Sequence, residues 1–417
     1  MTHDLRWRTV TGLGTAQTLA WASSYYLPAV LAAPMARDLG VPTALVYAAF
    51  SLALVVSALL GPWAGRAIDR FGGRAVLPFT SLAFAAGLGA LAGAQGPWSL
   101  FAAWIVIGLA MGAGLYEAAF AALVRLYGSG ARDAITGITL LAGFASTVGW
   151  PLSAFMESHW GWRGACLGWM GLHLALGLPL NARLPHLTTA RWQGTSHGQA
   201  HMPLPGPDGD AEKPTPPAPA EPPVRGGSPA AGRGTAVALA VVFAITWFIS
   251  TAMAAHLPRL LLAAGCSAAL AVGVAALVGP AQVLGRVAEF GLLRRFHPLL
   301  SARLAALAHP VGAAVLLLGG SAAVGLSAPV FALLHGAGNG ILTIAKGTLP
   351  LALFGPAGYG ERQGWILAPS RFAQALAPLG FGMALDRWGV QALALSMALG
   401  LGATVLLFLI GRERRRA

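Results

Sequence analysis

Hydropathy divides the chain into twelve apolar stretches, each near the ~20 residues that a helix needs to cross the hydrocarbon core of a bilayer. They run over 11–33, 44–64, 75–95, 98–124, 134–156 and 164–182, then over 235–260, 268–290, 299–318, 326–349, 364–385 and 390–410. In lipid only helices and closed barrels satisfy every backbone polar group, so the pattern predicts an all-α membrane protein of twelve transmembrane helices. Composition excludes the soluble alternative: 56% of the 417 residues are hydrophobic and 10% are charged, against roughly 25% charged in an ordinary soluble domain. The first stretch carries Gln17, Ser23, Ser24, Tyr25 and Tyr26 and no small-residue cleavage signature, so it reads as a retained span and not a signal peptide.

Residues 185–233 part the stretches into two groups of six and are rich in Pro and Gly, with too few apolar groups to bury. They predict a disordered linker between an N-terminal bundle (1–184) and a C-terminal bundle (234–417). The formal charge of +13 would suggest nucleic acid in a soluble protein, but the basic residues sit in short clusters between apolar stretches, which argues against that partner. With both termini inside, nineteen of the 27 Lys and Arg fall in internal segments, and four lie in or beside external loops: Arg37, Arg163, Arg259 and Arg387. That asymmetry predicts cytoplasmic termini in a bacterial-type inner membrane. Two cysteines, Cys166 and Cys266, exclude a disulfide scaffold, and neither cofactor nor metal site is expected.

The two halves repeat one another. Gly61-Pro62 and Gly65-Arg66-Ala67-Ile68-Asp69 recur as Gly279-Pro280 and Gly285-Arg286-Val287-Ala288-Glu289, and Gly108-x-x-x-Gly112 recurs as Gly336-x-x-x-Gly340. Tyr26-Leu27-Pro28 matches His256-Leu257-Pro258, and Pro151-Leu152 with Trp160-Gly161 matches Pro378-Leu379 with Trp388-Gly389. All are offset by about 220 to 230 residues, in the same order. An even number of spans separates the copies, so the repeats are parallel.

The run Gly65-Arg66-Ala67-Ile68-Asp69-Arg70-Phe71-Gly72-Gly73-Arg74 resembles the signature between helices two and three of the major facilitator superfamily, Gly-x-x-x-Asp-Arg-x-Gly-x-Arg. The resemblance implies two six-helix bundles around a central cavity, with helices one, four, seven and ten lining it. It also implies a conformational latch formed by Gly65, Asp69, Arg70, Gly72 and Arg74, with Arg286 and Glu289 from the repeated copy. Asp69 would contact the start of helix eleven, where a carboxylate is favoured, while Arg70 and Arg74 hold the loop. Two family patterns are missing: Trp104 and Ile107 stand where many proton-coupled members carry Arg and Gln, and the antiporter signature survives only as Gly143 and Gly149-Trp150-Pro151.

Of fourteen acidic residues, thirteen map to loops, linkers or helix ends, and Glu117 is the exception. A charge at membrane depth normally faces an aqueous cavity or a partner, so Glu117 is either a proton carrier or the structural partner of an Arg such as Arg125. Arg371 is the intramembrane cation and needs an anion there, either Glu117 or a substrate carboxylate; with Lys346 it either attracts an anionic substrate or snorkels to the inner surface. His335 and Asn339 share a helix face and serve substrate or a neighbouring helix. Gln17, Trp21 and Tyr25 share another face, a candidate cavity wall, and Tyr116, Trp247 and His256 complete the substrate or proton pathway. No Gly-rich loop followed by Lys-Ser/Thr is present, so ATP-driven pumping is not supported.

The sequence predicts, in sum, a monomeric secondary transporter of a small organic solute, not an enzyme. The excess of buried cations favours an organic anion carried with protons. The alternatives are an efflux transporter for drugs or other toxic compounds, and a non-transporting receptor on the same fold.

Overall fold

The structure, a computed structural model, describes residues 3–185 and 232–416, and it is helical without strands among them. The first half contributes α1 (His3–Ala22), α2 (Pro28–Asp38), α3 (Thr43–Phe71), α4 (Gly73–Ala92), α5 (Pro97–Gly114), α6 (Tyr116–Tyr127), α7 (Arg132–Ala142), α8 (Ala145–Leu172) and α9 (Leu178–Ala182). The second contributes α10 (Arg233–Ala263), α11 (Ala268–Gly291), α12 (Pro298–Gly319), α13 (Val324–Phe354), α14 (Tyr359–Trp388) and α15 (Leu393–Arg416). Eight helical stretches are long and apolar enough to cross a membrane by length and composition; two of them, 97–182 and 359–410, run through several elements. The expected linker lies almost wholly outside the described residues.

One hydrophobic core runs through α1–α8 and takes in Leu351 of α13 and Tyr359 of α14, and two more lie within α10–α15. The halves meet where α3 packs along α14, α6 against α14, and α7 against α11 and α13.

Glycine explains the closest packing. A Cβ at Gly108 or Gly112 of α5 would lie 2.6 Å from the Ala53 carbonyl oxygen and 2.8 Å from that of Ser57, both on α3. In the other half, a Cβ at Gly336 or Gly340 of α13 would lie 2.7 Å from the Val278 oxygen and 2.2 Å from the Gln282 oxygen, both on α11. The repeated Gly-x-x-x-Gly pairs therefore bring corresponding helices to backbone contact, the role small residues play in membrane bundles.

Three stretches expected as single helices are broken. The first stops at Ala22, where the Ser23 and Ser24 hydroxyls donate to the carbonyls of Leu19 (2.8 Å) and Ala20 (2.6 Å), and it restarts with Pro28 as the first residue of α2. The fourth breaks at Leu115, whose ψ of −165° is extended. The fifth breaks at Gly143 and Phe144, between α7 and α8. The fifth and sixth stretches are joined through α8, within which Gly161 turns the chain at φ 67°. In the second half, by contrast, α10 runs unbroken past Pro258, the counterpart of Pro28.

Replacing Gly108 or Gly336 by Leu forces backbone apart and should destabilise the protein by roughly 1–3 kcal/mol each. Melting in detergent should show an apparent Tm several degrees lower for each. Gly279→Leu, at a site with no atom within 4 Å of a Cβ, should melt like the parent.

Candidate functional site

The break at Leu115 organises the centre. It leaves the Gly114 carbonyl without a helical donor, because the Ala118 and Ala119 amides bond to Leu115 O instead. The buried Gln17 side chain fills the gap, donating from Nε2 at 2.7 Å. Gln17 thus holds a backbone group at the break. The break also places Tyr116 and Glu117 in the first turn of α6, where a carboxylate meets the positive end of the helix dipole.

Glu117 faces Arg371 of α14, whose Nη2 donates to both carboxylate oxygens at 3.1 and 3.0 Å. Arg125, the alternative partner considered from sequence, points elsewhere: its guanidinium donates to the backbone carbonyls of Asp69 and Arg70. Arg371 is buried at 5% exposure and also donates from Nη1 to Gln374 Oε1 at 3.3 Å. Glu117 and Arg371 border a small cavity between α3, α5, α6 and α14, with Ser57, Gly61 and Gly364 in its wall.

Aromatic rings surround this pair. Trp21 lies 4.8 Å from Tyr116 and 5.2 Å from Tyr25, centroid to centroid, and the Arg371 guanidinium carbon is 5.9 Å from the Trp21 ring. Tyr25 sits beyond the end of α1, so it reaches Trp21 from a turn and not from the same helical face. Across the interface Tyr25 meets Trp247 of α10 at 6.5 Å, and the Lys346 ammonium of α13 rests 3.1 Å from the Trp247 ring centre.

Three candidates lie outside this cluster. His335 is buried against His309 of α12, Nδ1 to Nδ1 at 3.1 Å, and stacks on Phe331. His256 bonds through Nε2 to the Pro378 carbonyl at 2.7 Å, within the second half. Asn339 is half-buried, and its backbone carbonyl accepts the Thr343 hydroxyl at 2.9 Å.

At the α3–α4 end the halves are joined by backbone and charge. Both Asp69 carboxylate oxygens accept amides at the start of α14, from Gly360 and Glu361, each at 2.9 Å. Gly65 packs on Gly360, and Arg66 pairs with Glu361. Gly72 takes φ 87°, turning α3 into α4. Arg70 lies over the Phe71 ring, and Arg74 donates to the Leu184 carbonyl at 3.4 Å, so neither reaches the second half. In the repeated copy Glu289 takes Arg132 of α7, across the halves, at 2.9 Å, whereas Arg286 pairs with no acid among the described residues; it is buried, with Nη1 against Gly143. Sequence reasoning missed Arg132, Gln374 and Glu361, whose roles depend on which helix stands opposite.

Glu117→Gln leaves the Arg371 charge buried without its anion, at a cost of about 3 kcal/mol. The double variant with Arg371→Gln should melt above Glu117→Gln alone in detergent, because the orphaned charge is gone. At the other contact, Asp69→Ala should speed labelling of a Ser57→Cys variant by a water-soluble thiol reagent, in a background with Cys166 and Cys266 replaced by Ser.

The description Major Facilitator Superfamily matches residues 13–332 of the chain. No curated protein matches the sequence. Among solved structures, the human organic anion transporter MFSD10 (TETRAN) is similar at 16% identity and a TM-score of 0.63, over 98% of this chain and 100% of that one. The E. coli fucose:proton symporter FucP is similar at 14% identity and a TM-score of 0.69, over 97% and 98% of the two chains. The proton:xylose symporter XylE, bound to 6-bromo-6-deoxy-D-glucose, is similar at 14% identity and a TM-score of 0.65, over 98% and 96%. With a family match across most of its length and the fold of these transporters, the chain belongs to the major facilitator superfamily: it is a multi-pass membrane transporter of small molecules, not an enzyme.

Proposed function

We propose that the protein is a secondary transporter of a small organic anion, coupled to protons and working by alternating access. The observation that carries this reading is the Glu117–Arg371 pair, which joins α6 of one half to α14 of the other amid further cations. Arginine keeps its charge under all physiological conditions and needs an anion wherever it is buried. Protonating Glu117 removes that anion, and a substrate carboxylate takes its place on the guanidinium. The halves then rock about this centre. The α3–α4 end, closed by Asp69 and the start of α14, is the cytoplasmic gate, and the termini lie on the same side of a bacterial-type inner membrane. The protein works as a monomer, with residues 185–233 as a tether between the bundles.

The test is uptake into proteoliposomes under an imposed pH gradient. Organic acids should accumulate with the gradient, and Glu117→Gln should abolish accumulation while preserving exchange of substrate across the membrane without a gradient. Movement of a drug panel with organic acids ignored would establish the efflux alternative in its place.

A further inference from the structure

Charge at the centre does not balance. Arg286 of α11, Lys346 of α13 and Arg371 of α14 are each at least nine-tenths buried, and Glu117 is the acid that faces them. Glu117 and Arg371 neutralise one another. Lys346 rests on the face of Trp247 and forms no ion pair among the described residues. Arg286 reaches from the second half to Gly143, where α7 gives way to α8 in the first, and its buried Nε and Nη1 have no hydrogen-bond partner among the described residues. Its neighbour one turn on, Glu289, is taken by Arg132 at 2.9 Å. Lys346 lies within electrostatic reach of Glu117, Arg371 and Arg286, and Tyr116 within reach of Arg286 and Glu117.

A buried guanidinium cannot lose its proton, so its charge must be met by a counter-ion. Lys346 can release its proton at a site this buried and keeps it only beside an anion, so an arriving carboxylate answers both groups, which stand on different helices and against different walls, one on an indole of the second half and one on a backbone break of the first. From this arrangement we infer that Arg286 and Lys346 are a two-point clamp for a dicarboxylate, one carboxylate to each cation. Trp21, Tyr25 and Tyr116 would lie along its hydrocarbon middle. The inference rests on the anion-transport reading and narrows it from a single carboxylate to two.

Binding to the full-length protein in nanodiscs tests it, with malonate, succinate, glutarate and adipate as one probe series and butyrate and n-butylamine as isosteric controls. A member of the dicarboxylate series should raise the apparent Tm at concentrations where butyrate does not. Arg286→Gln and Lys346→Gln should each weaken that dicarboxylate by at least about tenfold, as expected for one lost charge contact in a desolvated site, and should narrow its advantage over butyrate. Arg286→Lys should restore part of the affinity. Butyrate binding as tightly as every dicarboxylate would overturn the clamp and leave the anion reading standing. Unchanged dicarboxylate affinity in a folded Arg286→Gln or Lys346→Gln protein would remove that residue from the site and overturn the clamp too. Binding of butylamine or a drug panel, with every acid ignored, would overturn the anion reading itself.

Discussion

An arginine in the middle of a helical membrane bundle must keep an anion within reach, and here arginine and anion come from opposite halves of the chain. Arg371 rides on α14 and Glu117 on α6, so the pair at 3.0 Å ties the bundles together at their centre. Rearrangement of the halves has to break that contact or carry it along, and breaking it exposes a cation that nothing else on α14 neutralises. The other central features are arranged around this requirement. The break at Leu115 brings Glu117 to the start of a helix, where the dipole supports its charge, and Gln17 stabilises the break by occupying the orphaned carbonyl.

The two copies of the internal repeat have been put to different uses. Asp69 holds two amides at the start of α14, whereas its counterpart Glu289 holds an arginine side chain from α7. Both contacts join the halves, one through backbone and one through charge. Arg66 and Arg286, equivalent in sequence, diverge further: the first pairs at the surface with Glu361, and the second is buried toward the centre. The first half is broken in three of its expected spans and the second continuous at the corresponding places, so polar backbone gathers on one side of the interface and cationic side chains on the other.

Much of the architecture was legible in the order of residues, because span length, positive charge and paired glycines each have a direct physical meaning in lipid. Gly108 and Gly336 could be matched by spacing alone, and their shared packing role follows from having no side chain. The segment at 65–74 could be recognised and the partner of Asp69 anticipated. Away from that segment, what could not be settled was which groups the facing helices bring together. Glu117 was visible as a charge out of place and Arg371 as a cation in need of an anion, but across 254 residues their pairing stood beside Arg125 and a substrate carboxylate as alternatives. His256 and His335 were visible as polar groups in spans, but the bonds they make, to the Pro378 carbonyl and to His309, depend on the facing helices. Tyr25 kept its place beside Trp21 although the helix that was to carry it ends at Ala22.

Gly65 and Gly360 show what a missing side chain can control. A methyl group built on Gly65 would stand 2.0 Å from the Gly360 carbonyl oxygen, and one on Gly360 would stand 2.5 Å from the Gly65 oxygen. Under the alternating access proposed above, that collision exists only while this end is shut. Bulk at either position therefore acts on one conformer and spares the other, so it shifts their equilibrium populations without touching a group that handles solute. Each ~1.4 kcal/mol of such one-sided strain moves the ratio about tenfold, which makes two residues with no side chain a setting for how long the transporter dwells on each face of the membrane.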